Sequence, residues 1–192
     1  MVGAQRTRVA VIIGSTRTGR FGPTVAEWFA SLARQRADLD VDVVDLVETD
    51  LPDVSPGDGP APAPVRDLAP RLGRADAFVV VTPEYNHSFP ASLKTAIDWF
   101  FDEWMAKPVG FVSYGGTGGG LRAVEALRLV FAEVHATTIR NVVSFHDYPE
   151  RFGPDRTPHD PAADAAAKSQ LDQLLWWAHA LRNHRTQQPY QA

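Results

Sequence analysis

Five short runs rich in β-branched residues recur along this chain, each followed by a segment of helical spacing, and that alternation limits the possible folds. Arg8 to Gly14, RVAVIIG, is a continuous apolar run ending at glycine, the pattern of a strand buried on both faces. Val41 to Leu46, Ala77 to Thr82, Pro108 to Ser113 and Thr137 to Ser144 are the other four. The spacing predicts helices from Pro23, over Val65 to Arg74, from Ala91 to about Met105, over Leu121 to His135, and from about Pro161. Val47 to Pro64, dense in proline, glycine and aspartate, predicts a loop. The expected class is α/β: a five-stranded parallel sheet, doubly wound, with helices on both faces.

Two strand orders suit this pattern, 2-1-3-4-5 and half of a dinucleotide-binding fold. In either, ligands bind beyond the carboxyl ends of the strands. In the first, strands one, three and four are neighbours, so the loops after them converge on one crevice. The 192 residues show no repeat and no dividing linker, which predicts one domain over 1–192 with a loose tail at 186–192. A formal net charge of -4 argues against a broad nucleic-acid surface. With no cysteine, thiolate catalysis and cysteine-ligated metal centres are excluded. The apolar run after Arg6 and Arg8 is too short for a signal-peptide core or a membrane span, and a cytoplasmic location without a membrane partner is expected.

The first loop, GSTRTGRFG from Gly14 to Gly22, is built for an anion. A triphosphate loop requires Lys and Ser or Thr after its second glycine, where Arg20 and Phe21 stand. A dinucleotide fingerprint requires glycine at Thr16, although Asp45 sits where a ribose-binding acid would. A monophosphate cradle suits the residues better. Ser15, Thr16 and Thr18 offer hydroxyls, Arg17 and Arg20 offer charge and forked donors, and the helix start adds its dipole.

The loop PEYNHSFP, bracketed by Pro83 and Pro90, offers Tyr85 as an aromatic surface and Glu84 and Asn86 as polar groups. His87 is taken as a polar loop residue, and Lys94 as a solvated helix residue or a local phosphate neighbour without a nucleophilic role. Ser113 followed by YGGTGGG lets a flat ligand approach exposed N–H groups. The six histidines are scattered and lack metal-ligand spacing; His146–Asp147 is taken as a structural pair. Trp99 and Phe101 give the third helix extra apolar sides, suited to a partner subunit or to deep packing within the domain.

On GSTRTGRFGP, TPEYNHSFPASLKTAIDW and KPVGFVSYGGTGGGLRA, the sequence resembles the NADPH-dependent FMN reductases, flavodoxin-like proteins that include quinone, azo and chromate reductases. The resemblance runs from Arg8 through the fifth strand. It implies the order 2-1-3-4-5, bound FMN, NADPH or NADH as co-substrate, a quinone or similar small-molecule electron acceptor, and a homodimer or tetramer. By position, Ser15, Arg17, Thr18, Arg20, Phe21 and Gly22 would surround the phosphate. Pro83, Glu84, Tyr85 and Asn86 would meet the ring, and Ser113, Gly115, Gly116, Thr117 and Gly118 would close its pyrimidine side. The chemistry would lie on the flavin, with no catalytic side chain. Many relatives carry GSLRxGSxN in the first loop. Here Arg20 replaces the second serine and Gly22 the asparagine, so two neutral donors are exchanged for one cation. Arg20 would then face either the phosphate or the nicotinamide cofactor. A flavin-binding electron carrier or sensor, a ligand-free interaction domain and a dinucleotide-binding dehydrogenase are the rival readings.

Overall fold

The computed structural model describes residues 6–54 and 59–192. Strands β1 (Thr7–Ile13), β2 (Leu39–Asp45), β3 (Ala77–Pro83), β4 (Pro108–Gly115) and β5 (Thr137–His146) alternate with helices α1 (Gly22–Arg34), α2 (Ala63–Arg74), α3 (Ala91–Trp99), α4 (Leu121–Glu133) and α5 (Ala162–Gln187). The sheet order is β2-β1-β3-β4-β5, and every pairing is parallel. This is the 2-1-3-4-5 order, with β1, β3 and β4 side by side. Part of the expected loop at 47–64, residues 55–58, lies outside the described residues, as do residues 1–5.

Strand alternation sorts the core into two layers. Val9, Val11, Ile13, Val79, Val81 and Val112 point toward α1 and α5, where Phe29, Leu171 and Leu174 meet them. Ala10, Ile12, Phe78, Val80 and Phe111 point toward α2, α3 and α4, against Leu68, Ile97 and Leu127. β3 and β4 are buried along their whole length, which is why they carry no polar alternation.

The third helix is shorter than its apolar spacing predicts. It ends at Trp99, because Phe100 is extended (φ -123, ψ 118). The chain then folds back so that the Trp104 indole N–H donates to Ile97 O at 3.2 Å. Phe100 and Trp104 are both buried, with the Trp104 ring 4.6 Å from that of Phe78. The burial that the spacing implied is met, but by a turn rather than a further turn of helix. Trp99 packs on its own domain and donates to Pro52 O at 2.7 Å, leaving Phe101 the exposed aromatic of the pair. At the other end, α5 continues through Gln187, and Tyr190 reaches His135 Nδ1 at 2.9 Å. Among the described residues, no helix is long and apolar enough to cross a membrane.

At the opposite edge of the sheet from the glycine loops, Lys107 is buried and donates to Leu72 O and Gly73 O at 3.1 and 2.9 Å, capping the end of α2. Burial, with Arg185 adding to it, lowers its pKa to about 8 against the opposing pull of Asp76 and Glu103. A lysine whose folded pKa is depressed costs stability while it is charged, and the cost is relieved as pH rises through the folded value. Urea stability is expected to gain about 2 kcal/mol between pH 7 and 9.5 from this group. Lys107→Met should lack that gain; an identical pH profile in the variant would refute the assignment.

Candidate cofactor site at the carboxyl edge of the sheet

The loop after β1 is tied to its neighbours by both backbone and side chain. Gly14 N–H donates to Val81 O at 2.9 Å, and Ser92 Oγ donates to Gly14 O at 2.6 Å from the start of α3. Ser15 is fully buried, and its Oγ lies 2.6 Å from the Tyr85 hydroxyl. Arg17 stands over the Tyr85 ring, 5.4 Å from its centroid. Thr16, Arg17, Thr18 and Gly19 are exposed along the crest. Among the described residues, the N–H groups of Ser15, Thr16, Thr18 and Gly19 have no acceptor within the chain.

The last three residues of this loop have specific packing duties. Arg20 is turned back, donating to Ser15 O at 3.2 Å and to Asp45 Oδ2 at 2.5 Å. Asp45 also accepts from Val47 N–H, so the acid the sequence offered for a ribose is engaged by the protein itself. Burial raises its pKa, against the Val47 N–H and Arg20, which both hold the carboxylate form; Glu48 adds to the rise. Phe21 directs its ring into an aromatic cluster, 5.0 Å from Tyr148 and 5.1 Å from Phe152. Gly22 opens α1 with no room for a side chain. A Cβ there would stand 2.9 Å from Ile13 Cγ2 and 3.0 Å from the Tyr114 hydroxyl.

After β3, Glu84 N–H donates to Tyr114 O at 3.0 Å, so the loop leaves the sheet still paired to β4. Asn86 and His87 have φ of 49 and 71, and two hydrogen bonds between Tyr85 and Ser88 close a tight turn around them. The turn presents Asn86 and His87 to solvent, and Pro83 is buried at its base. Lys94 pairs with Asp98 at 2.6 Å on the exposed face of α3. Glu84 faces the loop after β4, where Arg122 Nη1 donates to it at 2.6 Å and the Arg122 N–H at 3.3 Å.

The glycines after β4 divide by role. Gly120 has φ +84, and a Cβ there would come 2.6 Å from Ser113 Cβ and 2.8 Å from Tyr114 N, so it permits the chain to turn into α4. Gly116 has open space around it, which leaves that part of the loop accessible to a flat ligand. Gly115 and Gly118 lie against Glu84. Ser113 and Ser144 both donate to Gly119 O at 2.8 Å, and His146 Nδ1 donates to Thr117 O at 2.8 Å. Asp147 N–H donates to Gly116 O at 3.1 Å. His146, Ser144, Arg122 and Tyr114 therefore support the loops. The sequence marked His146 only as a structural pair with Asp147 and gave Ser144 and Arg122 no role, because their partners lie on other elements.

The sequence model of the NADPH-dependent FMN reductases matches residues 7–150. The chain belongs to that family. It is 39% identical over 124 residues to the NAD(P)H-dependent FMN reductase of Schizosaccharomyces pombe, covering 59% of this chain and 60% of that protein. The chain thus aligns with less than two thirds of that relative's length. It is 38% identical over 141 residues to a quinone reductase of Escherichia coli, covering 68% of this chain and 73% of that protein. Among solved structures, the flavoenzyme NAD(P)H:(acceptor) oxidoreductase FerB from Paracoccus denitrificans superposes with a TM-score of 0.72 at 25% identity, covering 91% of this chain and 98% of that one. The family match encloses all three loops.

The different roles of Gly120 and Gly116 set opposite outcomes for the same substitution. Gly120→Ala is expected to lower the melting temperature by roughly 5–10 °C, because backbone must move to admit the methyl. Gly116→Ala should leave it within about 2 °C. Equal melting temperatures for the two variants would contradict this division of roles.

Proposed function

We propose that this chain is an FMN-dependent NAD(P)H oxidoreductase of the flavin and quinone reductase type, with a quinone or similar small molecule as acceptor. The observation that carries the reading is the convergence of three specialised loops on the ends of β1, β3 and β4, enclosed within the family match. The unpaired N–H groups of the first loop, with the hydroxyls of Thr16 and Thr18, suit a terminal phosphate. The open backbone at Gly116 and the Tyr85 surface suit a flat ring.

When bound, FMN would supply the hydride and electron transfer, and the protein's work is to hold and orient it. Ser15 fixes Tyr85, and Arg17 brings positive charge over the same ring. Arg20 acts from behind the loop: it donates to the Ser15 carbonyl and is itself held by Asp45, while the neighbouring N–H groups are left without an acceptor among the described residues. Glu84 and Arg122 brace the Gly115 to Gly118 backbone from one side, and His146 holds Thr117 from the other. Relatives named as a quinone reductase of Escherichia coli and a 2-hydroxy-1,4-benzoquinone reductase of Burkholderia support the acceptor class. The proposal includes assembly as a homodimer or tetramer, supported by two exposed apolar side chains, Leu121 at the start of α4 on the site end and Phe101 just past α3, beside His135, on the other.

The test is an anaerobic visible spectrum of FMN-loaded protein. NADPH should bleach the flavin band and a benzoquinone should restore it, with light scattering on the same sample reading more than one subunit. Retained colour after NADPH would leave a flavin-binding protein without reductase function, and a monomer at micromolar concentration would remove the assembly.

A further inference from the structure

One polar group at this end of the sheet has no partner among the described residues. Tyr114, near the end of β4, is 2% exposed, and its hydroxyl is buried without a hydrogen bond. Buried hydroxyls are costly to leave unpaired, so one held in a fixed place points to a partner that the folded chain does not itself supply. Its place is fixed: the ring lies edge-on to Phe21 at 6.3 Å and to Tyr148 at 5.1 Å. The hydroxyl meets the first residue of α1, 3.0 Å from where a Gly22 Cβ would be. The phenols of Tyr85 and Tyr148 and the Arg20 guanidinium are near enough to act on it.

The same position explains the glycine at 22. With Tyr114 on one side and Ile13 on the other, no side chain fits there, and position 22 cannot contribute a side-chain donor. Burial, reinforced by the phenols of Tyr85 and Tyr148, pushes the Tyr114 pKa far above its usual value, against weaker pulls from Arg20 and the Gly22 backbone. The group is thus a neutral phenol with a proton to donate.

We propose that the Tyr114 hydroxyl is the buried donor of the phosphate cradle at the start of α1, supplying from β4 the neutral hydrogen bond that a side chain at position 22 would otherwise give. This rests on the FMN reading and adds to it a residue of the third motif to which the sequence assigned no contact with the ligand. It also gives the exchange at 20 and 22 a physical sense. Arg20 is spent on Asp45 and the loop carbonyl, and the lost neutral donor returns from a different strand.

The experiment uses Tyr114→Phe, which removes the oxygen and keeps the ring in its aromatic cluster. Apo-protein is titrated with FMN and, separately, with riboflavin, which has no phosphate, by quenching of flavin fluorescence. The FMN dissociation constant should rise about tenfold while that of riboflavin stays unchanged. The stabilisation of the apo-protein by inorganic phosphate should also shrink. Without phosphate, the variant should melt at or above the wild type, because a hydroxyl lacking a partner has been removed. Unchanged FMN affinity, or equal weakening toward FMN and riboflavin, would overturn the proposal. A wild-type protein that takes up no FMN would fail the function reading instead. Equal phosphate stabilisation of wild type and variant would then overturn the role of Tyr114 by itself.

Discussion

The 2.6 Å contact between Ser15 Oγ and the Tyr85 hydroxyl joins two loops that are 70 residues apart in sequence, and the site is organised around that junction. It forms only because β1 and β3 are hydrogen-bonded neighbours with Ile13 opposite Val81. The parallel order then places β4 beside β3, and the Glu84 N–H to Tyr114 O bond carries the pairing past the strand ends. A sheet wound in another order would scatter the same three motifs. The convergence of the three loops is thus a consequence of topology.

Much of the architecture was legible because buried parallel strands have little freedom of composition. RVAVIIG and AFVVVT are apolar without alternation because both faces are covered, and their β-branched residues suit a pleated backbone. The helix from Ala91 is shorter than its spacing predicts for a related reason. Phe100 and Trp104 keep the helical spacing, yet they reach the core from a turn, and spacing alone cannot distinguish the two routes to burial.

The site was legible as three motifs and less so as contacts. Glycine density marked the loop after β4, but not which glycine the turn requires and which leaves space. Asp45 was visible as an acid at a strand end. That Arg20 would take it up follows from side-chain reach across β1 and β2, which one sequence does not display. Arg122 on Glu84 and His146 on Thr117 are similar cases, where partners lie 38 and 29 residues apart. Arg20 and Gly22, the two departures from the usual first loop, find their explanation in Asp45 and Tyr114 rather than in the loop itself.

The central claim is that one ligand spans all three loops, with its phosphate at the first. Amide chemical shifts of isotopically labelled apo-protein during FMN titration test this most directly. The account predicts that the largest shifts fall at Ser15 to Gly22, Glu84 to Asn86 and Ser113 to Gly118, moving together at one affinity. Inorganic phosphate alone should move only the first group. Shifts concentrated elsewhere, for instance around the roughly 550 Å³ cleft between Trp28 and His159, would contradict it.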